Sequence, residues 1–171
     1  VKIFATNDVG MFLPRVDHWV SLHPENFPAW LSVRERHELP LPKIHSQNYW
    51  PKVDYAWVAL EPTFLLSGYL AMQIAYLMGA EKIILCGCPG TSTRRFFDTC
   101  AREFGYGGGA TEEDALVRDR LIAEMTRLPE FKAKIRSTSG FTRRFFGGAE
   151  KQYEAVSGLY EENAAKEARA S

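Results

Sequence analysis

Neither sign of charge dominates this chain. Lys and Arg number 21, Asp and Glu number 21, and the formal net charge is zero. That balance gives no strong nucleic-acid signal and no solvating acidic tail. Cysteine is also scarce: three in 171 residues, two of them in Cys86-Gly87-Cys88. Three thiols make no disulfide framework. A Cys-x-Cys pair with one distant Cys and no nearby His is a poor zinc pattern. No metal is therefore expected, and a reducing, cytoplasmic setting is. No apolar run approaches the roughly 18 residues of a membrane span, and no signal-peptide pattern opens the chain. Val1 already lies in strand-like sequence and is not a Met, so a natural segment, able to carry a glycine-rich turn, is expected ahead of it.

What is present is globular. Hydrophobic residues make up 46% of the chain, ordinary for a folded domain, and the length suffices for one domain with a full core. The most organised stretch is Phe64 to Gly90. Ser67 suits an N-cap, with Gly68 behind it. Leu70, Ile74 and Leu77, flanked by Ala71, Ala75 and Met78, form a wide apolar stripe at helical period. Gly79 suits the left-handed position after the helix. Ile83 to Cys86 then runs apolar without alternation, as expected of a parallel strand covered on both faces. This predicts a helix over Ser67–Met78 and a central strand over Lys82–Cys86, parallel to a first strand at Val1–Ala5.

In such a unit the helix runs antiparallel to the strands. Its start (Ser67, Gly68, Tyr69) and the end of the next strand (Gly87, Cys88) then share the carboxyl edge of the sheet, where open parallel sheets bind ligands. A helix N-terminus there offers free N–H groups to an anion. Val1–Ala5 ends at Thr6-Asn7-Asp8, and the strand-like run Asp17–His23 ends at His23 before Pro24. Asn7, Asp8 and His23 therefore join the same edge.

The remaining elements follow in order. One helical turn is expected at Met11–Pro14. Pro24 to Glu38 reads as a helix anchored by Ala29, Trp30, Leu31 and Val33, with Arg34 to His37 on its solvated face. Lys43–His45 is a short extended piece, and Val53–Leu60 is a strand. Tyr49, Trp50, Tyr55 and Trp57 form an aromatic cluster read as core or lid packing. The Gly-rich run Phe104–Ala110 is a flap, since it lacks the strand and the Lys-Ser/Thr of a P-loop. Thr111 opens a helix with a stripe at Val117, Leu121, Met125 and Leu128, ended by Pro129. A last strand ends at Arg136-Ser137, and Ser139-Gly140 starts a short helix closed by Gly147-Gly148. Thr-Arg-Arg-Phe-Phe occurs at Thr93–Phe97 and again at Thr142–Phe146. Of its paired arginines, Arg94 and Arg95 follow the strand at Cys86 and are candidates to clamp an anion. A charged, Ala-rich helical tail over 149–171 is suited to reach a second copy of the chain.

The segment Leu66-Ser67-Gly68, its helix to Gly79 and Ile83-Ile84-Leu85-Cys86-Gly87 resembles a Rossmann-type family. That family includes bacterial sialyltransferases, motility-associated Maf proteins, archaeal pterin pyrophosphokinase-like proteins and small phage and prophage proteins. The Asn7-Asp8 pair, the segment Asp17–Glu25 and the late Arg136–Thr142 segment extend the resemblance over about Val1 to Gly148. It implies a three-layer Rossmann-like α/β domain over 1–148 with a mainly parallel sheet. It also implies a nucleotide or nucleotide-sugar ligand at the carboxyl edge, with Asn7 matching a donor-contacting Asn, Ser67 and Gly68 the family's Ser-Gly at the helix start, and Gly87 the Gly of its later strand-end motif. The sequence departs from the family in three places: Pro89 stands where an acid is expected, the upstream glycine-rich turn is absent, and no His follows His45.

The residues expected at the ligand are Asn7, Ser67, Gly68, Tyr69, Gly87, Cys88, Arg94 and Arg95. His23, as general base, and Asp8 are the candidate catalytic groups. The leading expectation is a reduced, glycosyltransferase-like protein that binds a nucleotide-type small molecule. The alternatives are a non-catalytic binding or assembly module of the same fold, and a nucleotide hydrolase or pyrophosphotransferase.

Overall fold

Short runs of two to four residues become short parallel strands. The computed structural model describes residues 1–60, 67–87, 112–138 and 140–149. Cys88, Arg94, Arg95, the Gly-rich run and the tail from 150 lie outside them. The chain divides into two compact units, Val1–Ala80 and Glu81–Ser171.

The first unit holds β1 (Phe4–Thr6), β2 (His18–Val20), β3 (Lys43–Ser46) and β4 (Tyr55–Ala56). All three ladders are parallel, and the spatial order β1-β2-β3-β4 repeats the chain order. The expected strand Val53–Leu60 is confined to β4. Two aspartates start the ladders. Asp17 Oδ2 accepts the Ile3 amide and Asp54 Oδ2 the Ile44 amide, each at 2.7 Å.

Alternation along β2 sends Trp19 and Val20 to opposite faces. On the Trp19 face lies α1 (Phe27–Arg36), entered through a 3-10 turn at Pro24–Asn26. The indole of Trp19 stacks on that of Trp30 at 5.7 Å, and Phe27 meets both rings edge-on. All three side chains are almost wholly buried. On the Val20 face lies α2 (Ser67–Leu77), whose Leu70, Ala71 and Ile74 pack with Val20. Gly79, at φ +84°, ends this helix. Its amide donates to Tyr76 O and the Ala80 amide to Ala75 O, the paired bonds of a Schellman motif. Leu77 and Met78, expected on the buried stripe, are half exposed. An 11-residue helix is about 16 Å long and a three-residue strand about 10 Å, so the last turn overhangs the sheet.

Arg34 corrects the expected solvated face of α1: it is 0% exposed. It lies four residues after Trp30 and seven after Phe27, hence on their stripe. Its guanidinium donates to Gly10 O (2.5 Å), Leu13 O (2.8 Å) and twice to Pro40 O (3.1 and 2.5 Å). Its carbon lies 5.9 Å from the centre of the Trp19 ring. No carboxylate pairs with it among the described residues. The carbonyls it reaches belong to the 3-10 turn Asn7–Met11, the segment after it and the exit from α1.

The second unit pairs β5 (Ile83–Leu85) with β6 (Ile135–Ser137) in parallel. Helices α3 (Glu112–Arg127) and α4 (Pro129–Ala133) precede β6, and α5 (Gly140–Phe146) follows it. Gly147, at φ +93°, ends α5, and a parallel bridge joins Ser137 to Gly148. Leu121 and Met125 of the α3 stripe are buried, whereas Leu128 is exposed. The expected central position of Lys82–Cys86 is not observed: among the described residues β5 lies in a two-stranded sheet with β6. The fold is therefore mixed α/β with parallel strands in small sheets.

Two substitutions test the Arg34–Trp19 core. Arg34→Met leaves buried carbonyls without their donor, each costing about 1–3 kcal/mol. At Gly10 an added Cβ would overlap the Trp19 indole, so Gly10→Ala should cost about 1–3 kcal/mol by overpacking. Urea denaturation followed by tryptophan fluorescence should show both midpoints lowered, that of Arg34→Met the more.

Candidate functional site

The carboxyl edge of the four-stranded sheet is where β1 and β2 end and α2 begins. The first residue past β1 is Asn7, held at φ +51°, a left-handed conformation that Asn tolerates better than most residues. Two contacts fix it there. Its carbonyl accepts the Trp19 indole N–H at 2.6 Å, and its Oδ1 accepts the Ser21 hydroxyl at 2.9 Å. Ser21, the first residue past β2 and fully buried, also accepts the His23 amide at 3.0 Å and donates its own amide to His45 O at 3.1 Å. The next amide, that of Leu22, donates to Ser67 Oγ at 3.0 Å. Ser67 is thus the first helical residue of α2, and its hydroxyl ties the helix start to the end of β2.

Asn7, Ser67 and the His23 backbone therefore meet in one hydrogen-bonded group, with Gly68 adjoining. Ser21 completes the group and was missed as a site residue; its signal was its position, the first residue past β2, as Asn7 is past β1. Asn7 Nδ2 carries no hydrogen bond among the described residues. A Cβ built at Gly68 meets no atom of the described residues within 4 Å. Asp8 follows Asn7 in the 3-10 turn and is partly exposed. The Tyr69 side chain is buried. The His23 ring is more than half exposed and faces Glu25 at 3.4 Å. Gly87, at φ +68°, follows β5 in the second unit. Cys88, Arg94 and Arg95 lie outside the described residues.

A second polar feature runs across the Val20 face. His18 Nδ1 lies 2.9 Å from His45 Nε2, and the Trp57 indole N–H donates to His45 Nδ1 at 3.0 Å. An indole N–H can only donate, so His45 Nδ1 is bare. The neutral ring then carries its proton on Nε2 and donates it to His18 Nδ1. Phe4 stacks on His18 at 4.5 Å and Tyr55 on His45 at 4.9 Å, extending the rings across all four strands. Burial lowers the pKa of His45 to about 4, aided by the neighbouring His18 and opposed by Asp54. Burial also lowers that of His18, with Asp17 opposing and Lys2 assisting. The pairing depends on the register that sets Val20 beside His45, which no local pattern in the sequence reveals.

A shallow cavity of about 400 Å³ belongs to the second unit, with Met125, Lys132, Arg136 and Phe146 in its lining; none of the expected site residues lines it. Among the described residues no group of three or more His, Cys, Asp or Glu could hold a metal ion. No described helix is long and apolar enough to cross a membrane. No family model, curated protein or solved structure matches the chain.

Ser21→Ala removes the donor to Asn7 and the acceptor for the His23 amide. It should cost about 1–3 kcal/mol, read as a lower thermal midpoint by circular dichroism with the far-ultraviolet spectrum unchanged.

Proposed function

We propose that the carboxyl edge of the first unit binds a nucleotide or nucleotide-sugar, with an anionic group of the ligand at the start of α2. The observation that carries this reading is Asn7. A side chain held in an uncommon backbone conformation, anchored through its amide oxygen and presenting its NH2 group, is the kind of strained, pre-set group found at binding sites. Beside it the first turn of α2 supplies backbone N–H groups of Gly68 and Tyr69 to an anion. The resemblance to Rossmann-type sialyltransferase-like and Maf-like proteins supports the same edge and the same Asn. With α1 and α2 on opposite faces of β2, the first unit also fits the three-layer Rossmann-like architecture that the resemblance implies.

One observation favours a binding module over a transferase or nucleotide hydrolase. His23, the candidate base, points into solvent beside Glu25, and burial does little to organise it for proton transfer. In this reading Asp8 and His23 flank the ligand without activating it.

Two variants test the proposal by calorimetric titration with nucleoside mono- and diphosphates and nucleotide-sugars. Asn7→Gly removes the amide while accepting the left-handed backbone freely. Gly68→Val adds bulk beside the first turn, where a Cβ meets no atom of the described residues. Each should weaken binding of the best ligand at least tenfold, about 1.4 kcal/mol, with the thermal midpoint monitored alongside. Unchanged affinity in both folded variants, or a wild-type protein that binds none of these compounds, overturns the proposal. Product formation on a bound nucleotide-sugar would restore the transferase reading.

A further inference from the structure

The chain Trp57 Nε1–H to His45 to His18 has no place for another proton. The Trp57 indole occupies His45 Nδ1, and His45 Nε2–H occupies His18 Nδ1. The neutral tautomers are thereby fixed, each ring carrying its proton on Nε2. A proton added to His45 must go to Nδ1, where it faces the indole N–H at 3.0 Å. A proton added to His18 must also go to Nδ1, where it faces His45 Nε2–H at 2.9 Å. Either event sets two donors against each other and removes a hydrogen bond from a buried site; His45 is 2% and His18 8% exposed.

We infer that these three residues form an acid-release latch: a proton on His18 breaks the bond between the imidazoles, a proton on His45 breaks the bond to Trp57, and the two together free the Trp57 indole from β3. This inference is independent of any ligand at the carboxyl edge. Among the described residues the two carboxylates that favour charged imidazoles, Asp17 and Asp54, are both already engaged. On the β1 side lie Phe4 and, ahead of it, Lys2, which opposes a charged His18. Asp17 precedes β2, but its carboxylate is engaged by the Ile3 amide and Arg15. Asp54 precedes β4 and is engaged by the Ile44 amide and Lys43. The Tyr55 ring covers His45. Helix α2, SGYLAMQIAYL, carries no Asp, Glu, Lys, Arg or His. Trp57 itself packs against the Val20, Leu70 and Ile74 cluster, so its release uncovers part of that face.

The sign follows from proton counting. Latched, the pair binds no extra proton; released, it binds two. The latched form is therefore favoured above the ordinary histidine pKa of about 6.5 and is lost as pH falls from there towards about 4, where the latched His45 itself titrates. With two protons linked, the ratio of latched to released protein should fall by up to about a hundredfold per pH unit within that window.

Nitrogen-15 NMR of the labelled full chain tests this. At pH 7 both rings should show a protonated Nε2 and a bare Nδ1, and the Trp57 indole proton should be protected from exchange. On acidification that protection should vanish in the same step in which the two histidines gain protons. Trp57→Phe vacates His45 Nδ1, so the folded variant can accept one proton there, and the proton uptake linked to the acid transition should fall from about two to about one. A ring protonated at Nδ1 at neutral pH overturns the inference. So does titration of either histidine near pH 6.5 with the Trp57 signal unmoved. If Trp57→Phe does not fold, the wild-type tautomers and the coincidence of the two signals decide the matter.

Discussion

A positive charge without a negative partner among the described residues lies in the interior of the first unit, and the unit is arranged to tolerate it. Arg34 spends its donors on backbone carbonyls of three separate segments and lies near the face of Trp19. Burying a guanidinium is costly unless its hydrogens are matched, so the segments ending at Gly10, Leu13 and Pro40 must all be in place together. That requirement fixes the path of the chain after β1 and after α1. It also holds Trp19 in the position from which its indole grips Asn7 O. The geometry at the carboxyl edge is thus set on the opposite side of Trp19 from the edge itself.

Much of this was legible in the residues. The stripe Leu70, Ile74 and the stop at Gly79 located α2 to within a residue, because both signals are local: helical period and a left-handed terminator. The same holds for β6 before Ser137 and for α5, closed by Gly147. Arg34 was misread because a run of Arg, Glu, Arg and His looks solvated by composition, although its spacing from Phe27 and Trp30 put it on the buried stripe. Ile83–Leu85 was expected at the centre of the sheet and is found in a two-stranded one, because an apolar run states that it is covered, not what lies beside it. Val53–Leu60 has strand composition throughout, yet only Tyr55–Ala56 finds a ladder.

The candidate site divides in the same way. Asn7 and Ser67 were readable as ends of elements, and parallel topology predicts that such ends gather at one edge. Ser21 joins them through its hydroxyl, and its place just past β2 is the one sign of that in the sequence. The link between His18 and His45 is beyond local reading altogether, since 27 residues separate them and register alone brings them together. Burial, which neither residue type advertises, is what turns two ordinary imidazoles into a pair held neutral.

The order of the strands has a consequence for how the chain acquires its structure. In the first unit the paired positions Phe4 and His18, His18 and Lys43, and His45 and Tyr55 are neighbours in sequence order as well as in space. Each ladder closes a modest loop, and the entropy of closure rises with loop length. The pairing of Ile83 with Ile135 spans a far longer one. Contacts between near neighbours in sequence form faster than distant ones, and a chain made from its N-terminus exposes the first unit before the second can pair. The sheet around Arg34 is therefore the part able to assemble while the ribosome still holds the remainder, and β5 must wait for β6.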